Sequence, residues 1–163
     1  MKIDCDGFEF DFTDALDVFV FDEKDKASVN YHGLSHAMKA VDLIVELENN
    51  YLFVEVKDFH EPDAYQGNDY FNHLREVLKY KYRDTWLYRW AENKADKPIK
   101  YLCLLELENG LISRMANEIR RQLPISNTST RWVTEISNGS AVVNFNLWNK
   151  RFTAWPVVRL AGA

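Results

Sequence analysis

Three charged residues stand inside two apolar runs where uncharged side chains would be expected. Asp42 lies in Ala40–Leu47, and Glu55 and Lys57 lie in Tyr51–Lys57, on either side of an Asn49-Asn50 turn. Successive side chains of a strand point to opposite faces. Asp42, Ile44 and Glu46 therefore share one face of the first segment, and Tyr51, Phe53, Glu55 and Lys57 share one face of the second. Paired as a hairpin with those faces together, the segments would present Asp42, Glu55 and Lys57 at one place. Ionised groups rooted in a sheet are costly unless they are paired or bound to a metal. Two outcomes follow: a site for a hard divalent cation held by carboxylate oxygens, or a cross-strand salt bridge of Lys57 with Asp42 or Glu55.

Asp42, then twelve residues, then Glu55-Val56-Lys57 resembles the active-site signature of the PD-(D/E)xK nuclease superfamily, whose fold is restriction-endonuclease-like. The likeness covers this hairpin and, more loosely, the helix after it. Glu-x-Lys alone is common; both acids set in strand patterns at hairpin spacing make the match more specific. One departure is Val41, where the family's pattern has proline. The resemblance implies that Asp42 and Glu55, with the backbone carbonyl of Val56, hold Mg²⁺ (or Mn²⁺), which lowers the pKa of a bound water. It further implies that Lys57 orients or deprotonates that water and stabilises the pentavalent phosphorus; a lysine beside a dication should have a depressed pKa. Asp58 points to the opposite strand face and is a secondary candidate. The implied reaction is phosphodiester hydrolysis of nucleic acid, DNA foremost. The implied fold is α/β, a restriction-endonuclease-like mixed central sheet flanked by helices, with an αβββαβ core.

The elements that would position this site can be read along the chain. Residues 7–12 alternate Phe with acids and read as a short strand. Phe12, Ala15, Leu16, Phe19 and Val20 recur at helical spacing behind Asp11 or Thr13 as N-cap, which predicts a helix of two to three turns. Residues 22–27 read as a charged turn, and Tyr31–Ala40 as a loop or short helical turn. His32 and His36 would approach the metal if that loop folds back; surface or capping roles are the alternative. Residues 61–69 read as a loop from their Pro, Gly and Asn content. A long helix then runs from an Asp69 cap to about Asn93. On it Phe71, Leu74, Val77, Leu78, Lys81, Thr85 and Tyr88 form one stripe, so Lys81 and Thr85 interrupt an apolar face. The resemblance implies an auxiliary catalytic role for Lys81; a lysine covering apolar surface with its stem is the alternative. Arg75, Lys79, Arg83 and Arg89 are either phosphate contacts or solvated charges paired with Glu76 and Asp84.

Ile99–Leu107 reads as a buried strand, Asn109-Gly110 as a turn, and 111–123 as a helix ended by Pro124, with Arg114, Arg120 and Arg121 outward. A polar loop at 126–130 precedes two alternating segments, 131–136 and 140–147, around Asn138-Gly139, a strong two-residue hairpin signal. The aromatic and basic tail from Trp148 either stacks on bases or covers the core. Cys5 and Cys103 match no metal or redox spacing.

A chain of 163 residues, 47% hydrophobic and 14% aromatic, fits a single globular nuclease-like domain over 1–163. No apolar run is long enough for a membrane span, and the acidic beginning is unlike a secretory signal, so cytoplasmic residence is expected. Net charge is −5, unhelpful for binding a polyanion. It is unevenly spread, with 17 acids and 5 Lys/Arg in residues 1–70 but 8 acids and 15 Lys/Arg in residues 71–163, which hints at a polyanion-binding surface. Partners expected are nucleic acid and either a second copy, as a homodimer, or another protein. The competing function is a non-catalytic protein-binding adaptor or immunity-type protein on the same fold.

Overall fold

The structure is a computed structural model and describes residues 1–59, 68–125 and 129–161. Five strands form one sheet in the order β3 (Asp17–Val20), β4 (Leu43–Glu46), β5 (Tyr51–Lys57), β6 (Ile99–Leu105) and β7 (Gly139–Val143). The β3-β4-β5 part is antiparallel and the β5-β6-β7 part parallel. A smaller antiparallel sheet holds β1 (Lys2–Cys5), β2 (Phe8–Asp11) and β8 (Val157–Arg159). Helices α1 (Asn68–Ala91), α2 (Asn109–Gln122) and α3 (Phe145–Arg151) complete the mixed α/β architecture.

Alternation along β5 and β6 divides the interior in two. Tyr51 and Phe53 join Tyr101 and Cys103 in a cluster with Phe71, Leu74, Leu78 and Tyr82 of α1 and Ile112, Met115 and Ile119 of α2. Leu52, Val54 and Val56 join Leu102 and Leu104 in a second cluster with Phe8, Phe10, Phe12 and Trp148. The large sheet is therefore covered by α1 and α2 on one face and by the small sheet with α3 on the other. The buried Trp148 indole N–H donates to the Trp155 carbonyl at 2.7 Å, and Trp155 donates to Asp14 at 2.6 Å. The tail is thus a lid on the core; Trp148 has no exposed surface to offer a base.

Several local expectations are corrected. Residues 13–20 form a turn and the edge strand β3: Val18 and Val20 pack on one cluster and Phe19 on the other, and pairing with β4 overrides the helical spacing. Asn109-Gly110 opens α2 instead of making a turn, because Ile112, Met115 and Ile119 supply an apolar stripe that draws the helix onto the sheet. Asn138-Gly139 is no hairpin: β7 runs parallel to β6, the Asn138 N–H donates to the Ile99 carbonyl at 2.9 Å, and residues 145–151 are α3. A two-residue hairpin turn is made instead by Asp6-Gly7, with φ of 48° and 82°, joining β1 to β2; those positive angles suit such a turn. Most of the loop read at 61–69 and of the loop read at 126–130 lies outside the described residues.

Candidate active site

The site forms where β4 begins and β5 ends. The Asp42 N–H donates to the Val54 carbonyl at 3.1 Å, one step beyond β4, and the Asp42 carbonyl accepts the Phe21 N–H at 2.8 Å. There the chain leaves the ladder, and Asp42 Oδ2 accepts the Val56 N–H at 2.8 Å in place of a strand carbonyl. Backbone groups two residues apart in a strand point to the same edge. The Val56 carbonyl therefore faces the side on which β4 has ended, beside the Asp42 carboxylate.

Helix α1 closes the site from above. Asp84 Oδ2 accepts the Lys39 N–H at 3.0 Å and Thr85 Oγ1 accepts the Val41 N–H at 3.0 Å, so two side chains of α1 hold the segment that carries Asp42. One helical turn earlier, Lys81 reaches the carboxylates. Its Nζ lies 3.2 Å from Asp42 Oδ1, 2.7 Å from Glu55 Oε1 and 2.8 Å from Glu55 Oε2. Lys57 Nζ lies 3.2 Å from Glu55 Oε1 and 3.9 Å from Asp42 Oδ2. All four residues named from the sequence thus converge, and salt bridging and clustering occur together.

Exposure is graded. Glu55 is fully buried, the Lys81 and Asp42 side chains are 11% and 15% exposed, and Lys57 is 34% exposed. Solvent reaches the cluster from the Lys57 side. Burial and then Asp42 push the Glu55 carboxyl up to about 8, while Lys81 and Lys57 pull it back. Burial works to lower both lysines, but the carboxylates of Glu55 and Asp42 outweigh it and hold both above the ordinary range. The depressed Lys57 expected beside a dication is therefore not the condition of the four side chains alone; here the ammonium is stabilised. Beneath Glu55 lies Cys103, its partner in the β5-β6 register, whose thiol burial pushes well up.

No family model, curated protein or solved structure matches the chain. Among the described residues no group of three or more His, Cys, Asp or Glu side chains assembles to hold a metal. A cation at this site would rest on two carboxylates, a backbone carbonyl and water, a hard-oxygen set suited to Mg²⁺ or Mn²⁺. One atom favours that fit: Glu55 Oε1 is buried and, although near both ammoniums, receives no hydrogen bond of acceptable geometry.

The remaining candidates fall outside the cluster. His32 stacks on Phe21, meets Tyr88 edge-on, and accepts the Leu34 N–H through Nδ1 at 3.1 Å. His36 lines a separate cleft with Lys39, Arg83 and Asp84. Asp58 is bound by Arg159 of β8, which also holds Glu106. The cations of α1 are paired locally: Arg75 with Glu76 and Glu118, Lys79 with Glu76, Arg83 with Asp84, Arg89 with Glu92. The sequence marks Asp84 only as a partner for the α1 cations, not as a holder of the Lys39 N–H, and gives Thr85 no task; Thr85 interrupting an apolar stripe is the available signal.

Proposed function

We propose that this protein is a metal-dependent phosphodiesterase of the PD-(D/E)xK type acting on nucleic acid, with DNA the foremost substrate. The observation that carries the reading is the meeting of Asp42, Glu55, Lys57 and Lys81 at one end of the large sheet, with only Lys57 substantially open to solvent. The succession β3-β4-β5-α1-β6 supports a restriction-endonuclease-like fold. The helix that an αβββαβ core places first has no counterpart among the described residues, where 13–20 form a turn and β3.

Asp42 and Glu55, with the Val56 carbonyl, would hold Mg²⁺ or Mn²⁺, which when bound neutralises phosphate charge and makes a coordinated water more acidic. Lys57, the exposed member, reaches toward solvent, where it can orient a water and place positive charge beside phosphate oxygens. Asp84 and Thr85 hold the Asp42 segment, so the carboxylate spacing is set by the helix and not by a free loop. Calorimetric titration with Mn²⁺ tests the reading: the native protein should bind and Asp42→Ala should not. A non-catalytic protein-binding role is favoured by the net charge of −5 and by the local pairing of the α1 cations. Absence of binding by either form would support that role instead.

A further inference from the structure

Within the metal-site reading, on which this inference rests, one feature is unusual: a cation already bridges the two carboxylates. Lys81 Nζ touches one oxygen of Asp42 and both oxygens of Glu55 within 3.2 Å. Lys57 leans on the same pair from outside, at 3.2 and 3.9 Å. We infer that the Lys81 ammonium is a tethered counter-cation that occupies the bridging position, so that Lys81 must swing off the carboxylates for a divalent ion to bind there.

Charge and packing support this arrangement. Two acids and two amines make a formally neutral cluster, so the dianionic attraction that would recruit a dication is already spent within the protein. Lys81 extends from the middle of α1, which Phe71, Leu74, Leu78 and Tyr82 hold against the sheet. The displacement therefore falls to the flexible lysine stem rather than to the helix. Glu55 Oε1 already lacks a hydrogen bond of good geometry in the bridged state, so the lysine satisfies the carboxylates incompletely. Lys81 is in this account a positioning and gating residue: it keeps Asp42 and Glu55 in register and sets a weak metal affinity.

The test is Mn²⁺ affinity of the native protein and of Lys81→Met, which keeps most of the stem volume, with Lys81→Gln as a second variant and circular dichroism to verify folding. Removing the tethered charge should tighten Mn²⁺ binding about tenfold or more, since repulsion between two cations in a poorly solvated site is strong. It should also enlarge the thermal stabilisation that Mn²⁺ gives, because binding to the native state alone raises stability. Native binding with equal or weaker binding by both folded variants would overturn it while leaving the metal site standing; absence of binding by all three would overturn both. Should neither variant fold, the native protein decides: the Lys81 side-chain ammonium resonance must shift and broaden on titration with Mg²⁺, and an unchanged resonance at saturating Mg²⁺ overturns the inference.

Discussion

The two faces of β5 were built by the same alternation and do opposite things. On one face Leu52, Val54 and Val56 are fully buried in an apolar cluster that includes Phe10 and Trp148. On the other, the pattern starts the same way with Tyr51 and Phe53 and then turns to Glu55 and Lys57, equally rooted in the sheet but neutralised by Asp42 and Lys81. The first face lowers the free energy of folding by removing apolar surface from water. The second places a carboxyl where burial disfavours its ionised form, which costs stability and preserves a group hungry for cations. A strand that is ordinary on one side and expensive on the other is a sign of function.

Substitutions on each face should therefore differ in outcome. Trp148→Ala on the apolar side should lower unfolding free energy by about 3–5 kcal/mol, read by urea denaturation, because it leaves a large cavity. Val54→Ala should cost less, about 1–3 kcal/mol. If Trp148→Ala is well tolerated, the small sheet and α3 are not the cover of the core that the packing implies.

Glu55→Gln should act on the site and not on the core, removing Mn²⁺ binding while changing metal-free stability little near neutral pH, where the amide replaces a carboxyl that holds its proton up to about pH 8. Its pH dependence sharpens the point. Glu55 rises from an ordinary 4.5 in the unfolded chain to about 8 in the folded one, so between those values the folded state binds more protons. The Glu55 contribution should then make metal-free stability fall as pH rises from about 4.5 to 8, and level off above. Thermal melts across that window should show the fall in the native protein and a flatter profile in Glu55→Gln. Parallel profiles for the two would show that Glu55 is not the strained member of the cluster.

The smallest expected contrast lies between two Xaa-Gly pairs. Gly7 sits at φ 82° in the β1-β2 turn, so Gly7→Ala should cost about 1 kcal/mol. An added Cβ at Gly139 meets nothing within 4 Å, so Gly139→Ala should be close to neutral in the same melts.

These pairs also show where sequence reasoning worked and where it failed. Asp6-Gly7 and Asn138-Gly139 are both good hairpin dipeptides. Only the partner strands distinguish them: β1 and β2 pair with each other across the first dipeptide, whereas β7 after the second pairs with β6, which is distant in sequence. The same is true of β3, whose Phe12, Ala15 and Phe19 spacing suits a helix until β4 offers a ladder. By contrast, β4, β5, β6 and α1 were legible because each carries its own period and is long or strongly apolar. Lys81 stood out because a charge broke an apolar stripe. Asp84 was legible only as an ion-pair partner, which it is for Arg83; its second partner is the backbone N–H of Lys39, and backbone partners leave no trace in residue types.

We propose that the four converging side chains serve phosphodiester cleavage. The most direct measurement incubates supercoiled plasmid with the native protein and with Lys57→Ala, with Mg²⁺ or with EDTA. Lys57 is the most exposed of the four, so its truncation should change stability by less than about 1 kcal/mol. The native protein should nick or linearise the plasmid in Mg²⁺ alone, and Lys57→Ala should do so about a hundredfold or more slowly. Equal cleavage by the two proteins, or cleavage that persists in EDTA, would contradict the proposal.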